Sequence, residues 1–499
     1  MLYISQGAVG PMDRIASKGY TKKYRKRKSR PKFRIGKSRS NVFSGELVTK
    51  MVLLLISIAI FLPIELGFLA GRELLPHTLI LILAAFPCLW VYIVRVVRAH
   101  RWTEIAPTDV TIVLYTLLVS FSIYFIHGSE YVADIAYHAL ETGSSYLVGR
   151  VLVRDLETFK FFMRVFVALI VLSTPIALYE SITGVRLINT FFHEHGLMLN
   201  DKEGKLRLDY YRSYLTFDNP ILFGVVCAMT TGAALHLFSL RKLYRAVATA
   251  AVGLAVLTSI SSAAILSYTL QLFIMPFRQY VARLGLLRSI RFWSVIIVSI
   301  GIVFYFIEVN SFLTTISIND HNAIYRTYIY KYGLLEVADS PWIGIGYQDW
   351  YRHESMTSSI DSFWLFTAMR FGVPAFLLIA ATFLFPIFLF FREDSSEYEK
   401  AIIAYTSGLL GTVVALGTIH VWNAPYVIVI IFLSSGIFLF KPKDTDAKDT
   451  GTKDTDNKGD QSNKPRKVKK YKKVKKSRRS GRPEGTVQTK QHRTSQARI

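Results

Sequence analysis

The chain has 499 residues, 51% of them apolar, and a mean hydropathy of +0.32. Apolar runs recur along its length, which excludes an ordinary set of soluble domains and makes the bilayer its solvent. The formal charge of +25 is concentrated at the ends: residues 1–40 hold 13 Lys/Arg against one acid and 441–499 hold 20 against seven, whereas 41–440 carries 27 basic and 27 acidic residues and is neutral.

Residues 1–45, rich in Arg, Lys and Ser, read as a disordered basic arm. The arm has no apolar segment followed by a cleavage site, so the first crossing itself is expected to direct insertion. Apolar runs come next at 51–71, 77–97, 110–128, 160–180, 220–240, 246–260, 261–277, 292–310, 363–391, 401–419 and 425–440, and each reads as a spanning helix. Lys and Arg gather in the arm, at Arg95/Arg98/Arg101, Arg150/Arg154, Arg241/Lys242/Arg245, Arg278/Arg283/Arg288/Arg291 and Arg392, and in the tail, which places these segments in the cytoplasm. Eleven crossings break the parity of that pattern. A twelfth over 130–149 restores it, provided Glu130, Asp134, His138 and Glu141 face other helices or water.

The expected fold is therefore all-α and polytopic, with about twelve transmembrane helices over 46–440, both termini cytoplasmic, and two long extracytoplasmic loops at 181–219 and 311–361. The tail 441–499 opens with the low-complexity KDTDAKDTGTKDTDNK and continues with KPRKVKKYKKVKKSRRSGR, so it reads as disordered. Both tails are suited to anionic lipid head groups or a cytoplasmic protein partner, and nothing beyond their charge suggests nucleic acid. Cys88 and Cys227 lie within apolar runs and offer neither a disulfide framework nor metal-ligand spacing.

The polar strings of the two loops are where chemistry can reside. In the first, Arg212 precedes Phe217-Asp218-Asn219-Pro220 and a Pro-started helix whose free N–H groups favour anions; pairing of Arg212 with Asp209 or Asp218 is the alternative. In the second, Arg326 could clamp a phosphate bidentately or pair with an acid such as Asp320. Beyond it lies a glycine-punctuated turn at Ser340-Pro341-Trp342-Ile343-Gly344-Ile345-Gly346. Asp361 stands at the mouth of the next helix, either as a general base or as its N-terminal cap beside Ser362. Arg370, nine residues on, turns to the other side of that helix and serves structure.

Taken in order, these strings resemble the O-antigen ligase and polymerase superfamily, bacterial membrane glycosyltransferases acting on undecaprenyl diphosphate-linked glycans at the periplasmic face. Carrying the resemblance are Arg212 with Phe217-Asp218-Asn219-Pro220 and Gly224, Ser261-Ser262-Ala263-Ala264, Arg326, Asp339 to Gly346, and Asp361-Ser362 nine residues before Gly372. Tyr179-Glu180 to Gly184 and Glu141 to Arg150 are similar to strings of exopolysaccharide polymerases. Ligases carry a histidine where this chain has Asp361, and His321-Asn322 has neither the spacing nor the following helix to replace it.

The resemblance implies a C-type glycosyltransferase-like bundle in the bacterial inner membrane, without cofactor or metal. Arg212 and Arg326 would neutralise the diphosphate, Asp361 would act on the acceptor hydroxyl, and Glu180 and Asp218 would support them. It implies polymerisation of lipid-linked repeat units into exopolysaccharide or O-antigen, with a donor glycan, an acceptor glycan, membrane lipids and other polysaccharide assembly proteins as partners. Transfer of finished glycan by a ligase is the nearest alternative. A transporter or flippase is the alternative from another class, disfavoured because polar residues gather in loops and not at the midplane.

Overall fold

The computed structural model describes residues 39–69, 72–98, 104–198, 204–239, 241–306, 320–354, 356–392 and 396–440. The basic tail and most of the basic arm lie outside them, as do 307–319, the end of the predicted 292–310 crossing and the start of the second loop. The first helix, α1 (Arg39–Ile60), already covers the last residues of the arm. It is followed by α2 (Pro76–Arg98), α3 (Pro107–His127), α4 (Val132–Leu152), α5 (Leu156–Thr183) and the short α6 (Leu187–Glu194). The middle of the chain forms α7 (Pro220–Met229), α8 (Thr231–His236), α9 (Lys242–Thr258), α10 (Ser262–Arg283) and α11 (Ile290–Phe306). Then come α12 (Asp320–Asp339), α13 (Phe363–Leu384), α14 (Ser396–Leu416) and α15 (Asn423–Ser435). Two hairpins of two-residue strands are the only sheets among the described residues.

The protein is an all-α, multi-pass membrane protein. Where the chain is described, the predicted crossings fall on helices except for the first, 51–71, whose helix ends at Ile60 and whose second half is turn and hairpin; among the described residues six helical stretches are long and apolar enough to span by themselves. The number twelve therefore does not follow from helix length. Helix α9 has only 17 residues, and the 220–236 stretch is split at Thr230 into α7 and α8. The stretch Pro107–Leu152 is 46 residues long, more than twice the roughly 20 that one crossing requires. It bends at Gly128 (φ 71°) through a 3₁₀ turn, and α3 and α4 then pack on each other.

The polar residues of α4 find the shelter they need. Glu141 is buried, and the His138 ring stacks on Tyr426 at 6.3 Å and lies near Tyr115 and Phe371. At the other end of α4, Arg150 Nε bonds Asp109 Oδ1 at 2.9 Å, and Asp109 also accepts from Tyr92 and Tyr146, tying α2, α3 and α4 together. Internal pairing of this kind is consistent with the neutral charge of the body, because an unpaired charge in hydrocarbon is expensive. Elsewhere small residues let backbones approach: a Cβ at Gly149 would run into Ser434 and the Ile431 carbonyl of α15.

Candidate active site

Helix α5 ends at Gly184, whose left-handed φ of 76° and N–H bond to the Glu180 carbonyl (2.8 Å) form a standard C-terminal cap. The Glu180 side chain, 3% exposed, organises the backbone just after Arg212. It accepts from Ser213 Oγ (2.9 Å), Tyr214 N (3.0 Å) and Leu215 N (3.0 Å), and Arg186 Nε lies 3.5 Å away. A buried carboxylate is tolerated here because backbone donors and a guanidinium surround it. Glu180 is thus a scaffold for the loop carrying Arg212.

The loop returns through a hairpin whose two turn residues, Leu208 and Asp209, both have positive φ (53° and 62°). It is laid against the C-terminal end of α9, where the last carbonyls have no partner within the helix. Ser213 N bonds Thr258 O at 2.9 Å, Arg212 Nε bonds Ser259 O at 3.0 Å, and Arg207 Nη1 bonds Ile260 O at 3.1 Å. Positive charge at a helix C-terminus is favourable in addition to these bonds. Arg212 is 8% exposed, and its Nη2 remains buried with no hydrogen-bond partner. Burial first, and then the charges of Arg207 and Arg326, lower its pKa to about 10, so it stays cationic at neutral pH. Neither Asp209 nor Asp218 pairs with it among the described residues. Asp218 instead accepts from Asn423 Nδ2 (2.9 Å) in a different corner shared with His77 and Glu65, so the structure does not bring Asp218 to Arg212.

Arg326 lies on α12, which packs along α13; the site of Gly333 leaves room for Leu365, 2.8 Å from where a Cβ would stand. One turn on from Arg326, Tyr330 donates to the Gly417 carbonyl and lies 3.0 Å from Ser362 Oγ. Arg326 forms no hydrogen bond or ion pair among the described residues. Burial lowers its pKa, opposed by the charge of Asp361 and reinforced by that of Arg207. The side chain of Asp320 lies outside the described residues, as do those of His321 and Asn322.

Asp361 and Ser362 divide the roles left open by the sequence. Ser362 is the N-cap of α13: its Oγ accepts from Leu365 N at 3.3 Å. The Asp361 carboxylate has no capping duty and accepts from Ser359 Oγ at 3.3 Å.

The turn Pro341–Gly346 is built into a break in α13. Pro374 has no N–H for the Arg370 carbonyl, and Gly372 (φ 87°) is non-helical, so several backbone groups are released. The turn takes them up: Ile345 N bonds Met369 O (3.0 Å), Gly346 N bonds Arg370 O (2.8 Å) and Val373 N bonds Pro341 O (2.8 Å). A Cβ on Gly344 (φ 76°) would collide with the Arg370 backbone. Arg370 donates to the Gly346 carbonyl at 3.0 Å and also to that of Gln348, so it secures this turn and not the Asp361 carboxylate.

Two residues that sequence reading missed also belong here. Arg207 adds a third guanidinium; its five-residue offset from Arg212 becomes meaningful only once the hairpin register is known. His420 packs its ring on Phe366 (4.0 Å) in the turn before α15, where Ile419 O accepts from Phe363 N at the start of α13. Burial, with help from Arg370, lowers its pKa to about 4, so it is neutral at physiological pH. No sequence signal distinguished it.

Residues 246–380 match a family model described as O-antigen ligase, and no curated protein matches the chain. The match supports the O-antigen ligase/polymerase superfamily, whose members are membrane glycosyltransferase-like enzymes. It spans Arg326, the Pro341–Gly346 turn, Asp361 and most of α13, and it leaves out Glu180, Arg207 and Arg212.

Proposed function

We propose that the chain polymerises undecaprenyl-diphosphate-linked oligosaccharide repeat units into exopolysaccharide or O-antigen at the periplasmic face of the bacterial inner membrane. The observation that carries this reading is the buried Arg212 Nη2, left without a partner while Arg207 and Arg326 act on the same guanidinium. Three mutually repelling cations with one carboxylate near them suit a ligand of two or more negative charges. A diphosphate supplies those charges.

In the proposed reaction the acceptor sugar hydroxyl attacks the anomeric carbon from the side opposite the diphosphate. The new glycosidic C–O bond forms as the bond to phosphate breaks, its electron pair leaves with the diphosphate, and the configuration inverts. Arg212 and Arg326 stabilise the charge that develops on the leaving group, most effectively where water is excluded. Asp361, relieved of capping by Ser362, receives the hydroxyl proton or orients that hydroxyl. Glu180 holds the Arg212 loop in place.

A second reading, transfer of finished glycan to another acceptor, is favoured by the description of the matching family as O-antigen ligase. Glycan analysis of a deletion strain separates the two. Single repeat units accumulating on the lipid diphosphate support the polymerase; accumulated long chains support the ligase; unchanged glycan rejects both.

A further inference from the structure

Helix α9 links two ends of the bundle. Its C-terminus is held by Arg212 and Arg207, and its N-terminus begins at Lys242, 17 residues away. At 1.5 Å per residue this is about 25 Å, close to a hydrocarbon core's thickness. At the Lys242 end lies a cavity of about 480 Å³ between α8, α9 and α10. Lys242, Arg245 and His236 line it, and no acidic residue does among the described residues. Arg245 Nε is buried without a hydrogen-bond partner, and neither Lys242 nor Arg245 forms an ion pair among the described residues. His236 is occupied, its Nε2 lying 3.2 Å from Met275 Sδ.

The remaining wall is mostly apolar, formed by Leu235, Ala246, Leu272, Met275 and Pro276, with Gln279 as its one uncharged polar side chain. Beside the cavity, on the neighbouring face of the same helix, an exposed apolar stripe runs along α9 through Leu243, Val247, Leu254 and Leu257. Basic residues at a helix end are expected from membrane orientation alone. Orientation does not require that they enclose a cavity, or that a guanidinium nitrogen be buried with nothing to bind.

We propose that this cavity binds the phosphate head group of an anionic phospholipid from the leaflet opposite the arginine site, with the acyl chains lying along the α9 stripe. Lys242 and Arg245 neutralise the phosphate, and the apolar stripe distinguishes a lipid from a soluble anion. Basic pockets between membrane helices select anionic head groups in this way, each basic residue contributing about 1 kcal/mol.

The test titrates the detergent-purified full-length chain with phosphatidylglycerol, phosphatidylcholine or inorganic phosphate and monitors thermal unfolding. Phosphatidylglycerol should raise the midpoint at concentrations where the other two do not. In a Lys242→Gln/Arg245→Gln variant the apparent affinity should fall about 30-fold, the equivalent of about 2 kcal/mol. An Arg283→Gln/Arg288→Gln variant, which loses equal charge outside the cavity, should behave as wild type. In wild-type protein a photoactivatable phosphatidylglycerol should label peptides within 235–246 and 272–279, a readout that does not depend on how the variants fold. Equal response to phosphatidylcholine, full response to phosphate alone, unchanged affinity in the cavity variant, or labelling confined to other helices would each overturn the proposal.

Discussion

Asp361 and Ser362 are neighbours with opposite expected phenotypes. Ser362 caps α13, so Ser362→Ala should lower stability by about 1 kcal/mol, read as a lower unfolding midpoint. Asp361→Asn should leave that midpoint unchanged and cut chain extension by about 10²–10⁴-fold with donor binding retained, because the amide cannot take up the proton. Wild-type extension by the Asn variant would remove Asp361 from the chemistry. For Arg207→Gln a weaker effect is expected, about tenfold in donor affinity, since it loses one charge-assisted contact and two arginines remain; donor titration of the variant checks this.

Arg212, Arg326 and Asp361 could be singled out from the sequence because each stands in a polar string between apolar runs. What each touches could not. Arg212 sat beside two plausible aspartate partners, and only the hairpin docked on α9 shows its bonds going to a helix-end carbonyl instead. Arg207 and His420 carry no local pattern, because their relevance comes from register and from contacts remote in the chain.

At the scale of elements, the glycine turn and the break in α13 act as one unit. Gly344 and Gly346 could be read as turn residues, but Gly372 lay within a predicted spanning helix, and the sequence did not show that the turn supplies the hydrogen bonds that Pro374 withholds. Gly344→Ala should free this turn, since its Cβ meets backbone and not a yielding side chain. A cost above about 2 kcal/mol is expected from the collision and the lost bonds together. Faster protease cleavage within 341–354, measured against wild type, checks it; unchanged cleavage would mean that the turn yields without detaching. Helix α4 shows the reverse case: its polar residues hid a helix from hydropathy, and charge parity recovered it.

For the whole molecule, the basic ends account for the net charge while the paired interior is neutral, so orientation can be argued separately from chemistry. The proposed topology requires the Arg154 and Gly184 ends of α5 to face opposite sides of the membrane. Single cysteines introduced at Arg154 and Val185 should label from the cytoplasmic and outer sides respectively. Labelling from one side would move both loops and dismantle the proposed site.

The most direct test of the proposed polymerase is chain extension by purified protein supplied with undecaprenyl-diphosphate-linked repeat units. Wild-type protein should give a ladder of polymer lengths on a gel. Arg212→Ala and Arg326→Ala, each confirmed to be inserted and helical, should give none, a loss of at least about 10²-fold for a missing transition-state charge. Normal ladders from both variants would contradict the roles proposed for the two arginines and the reaction built on them.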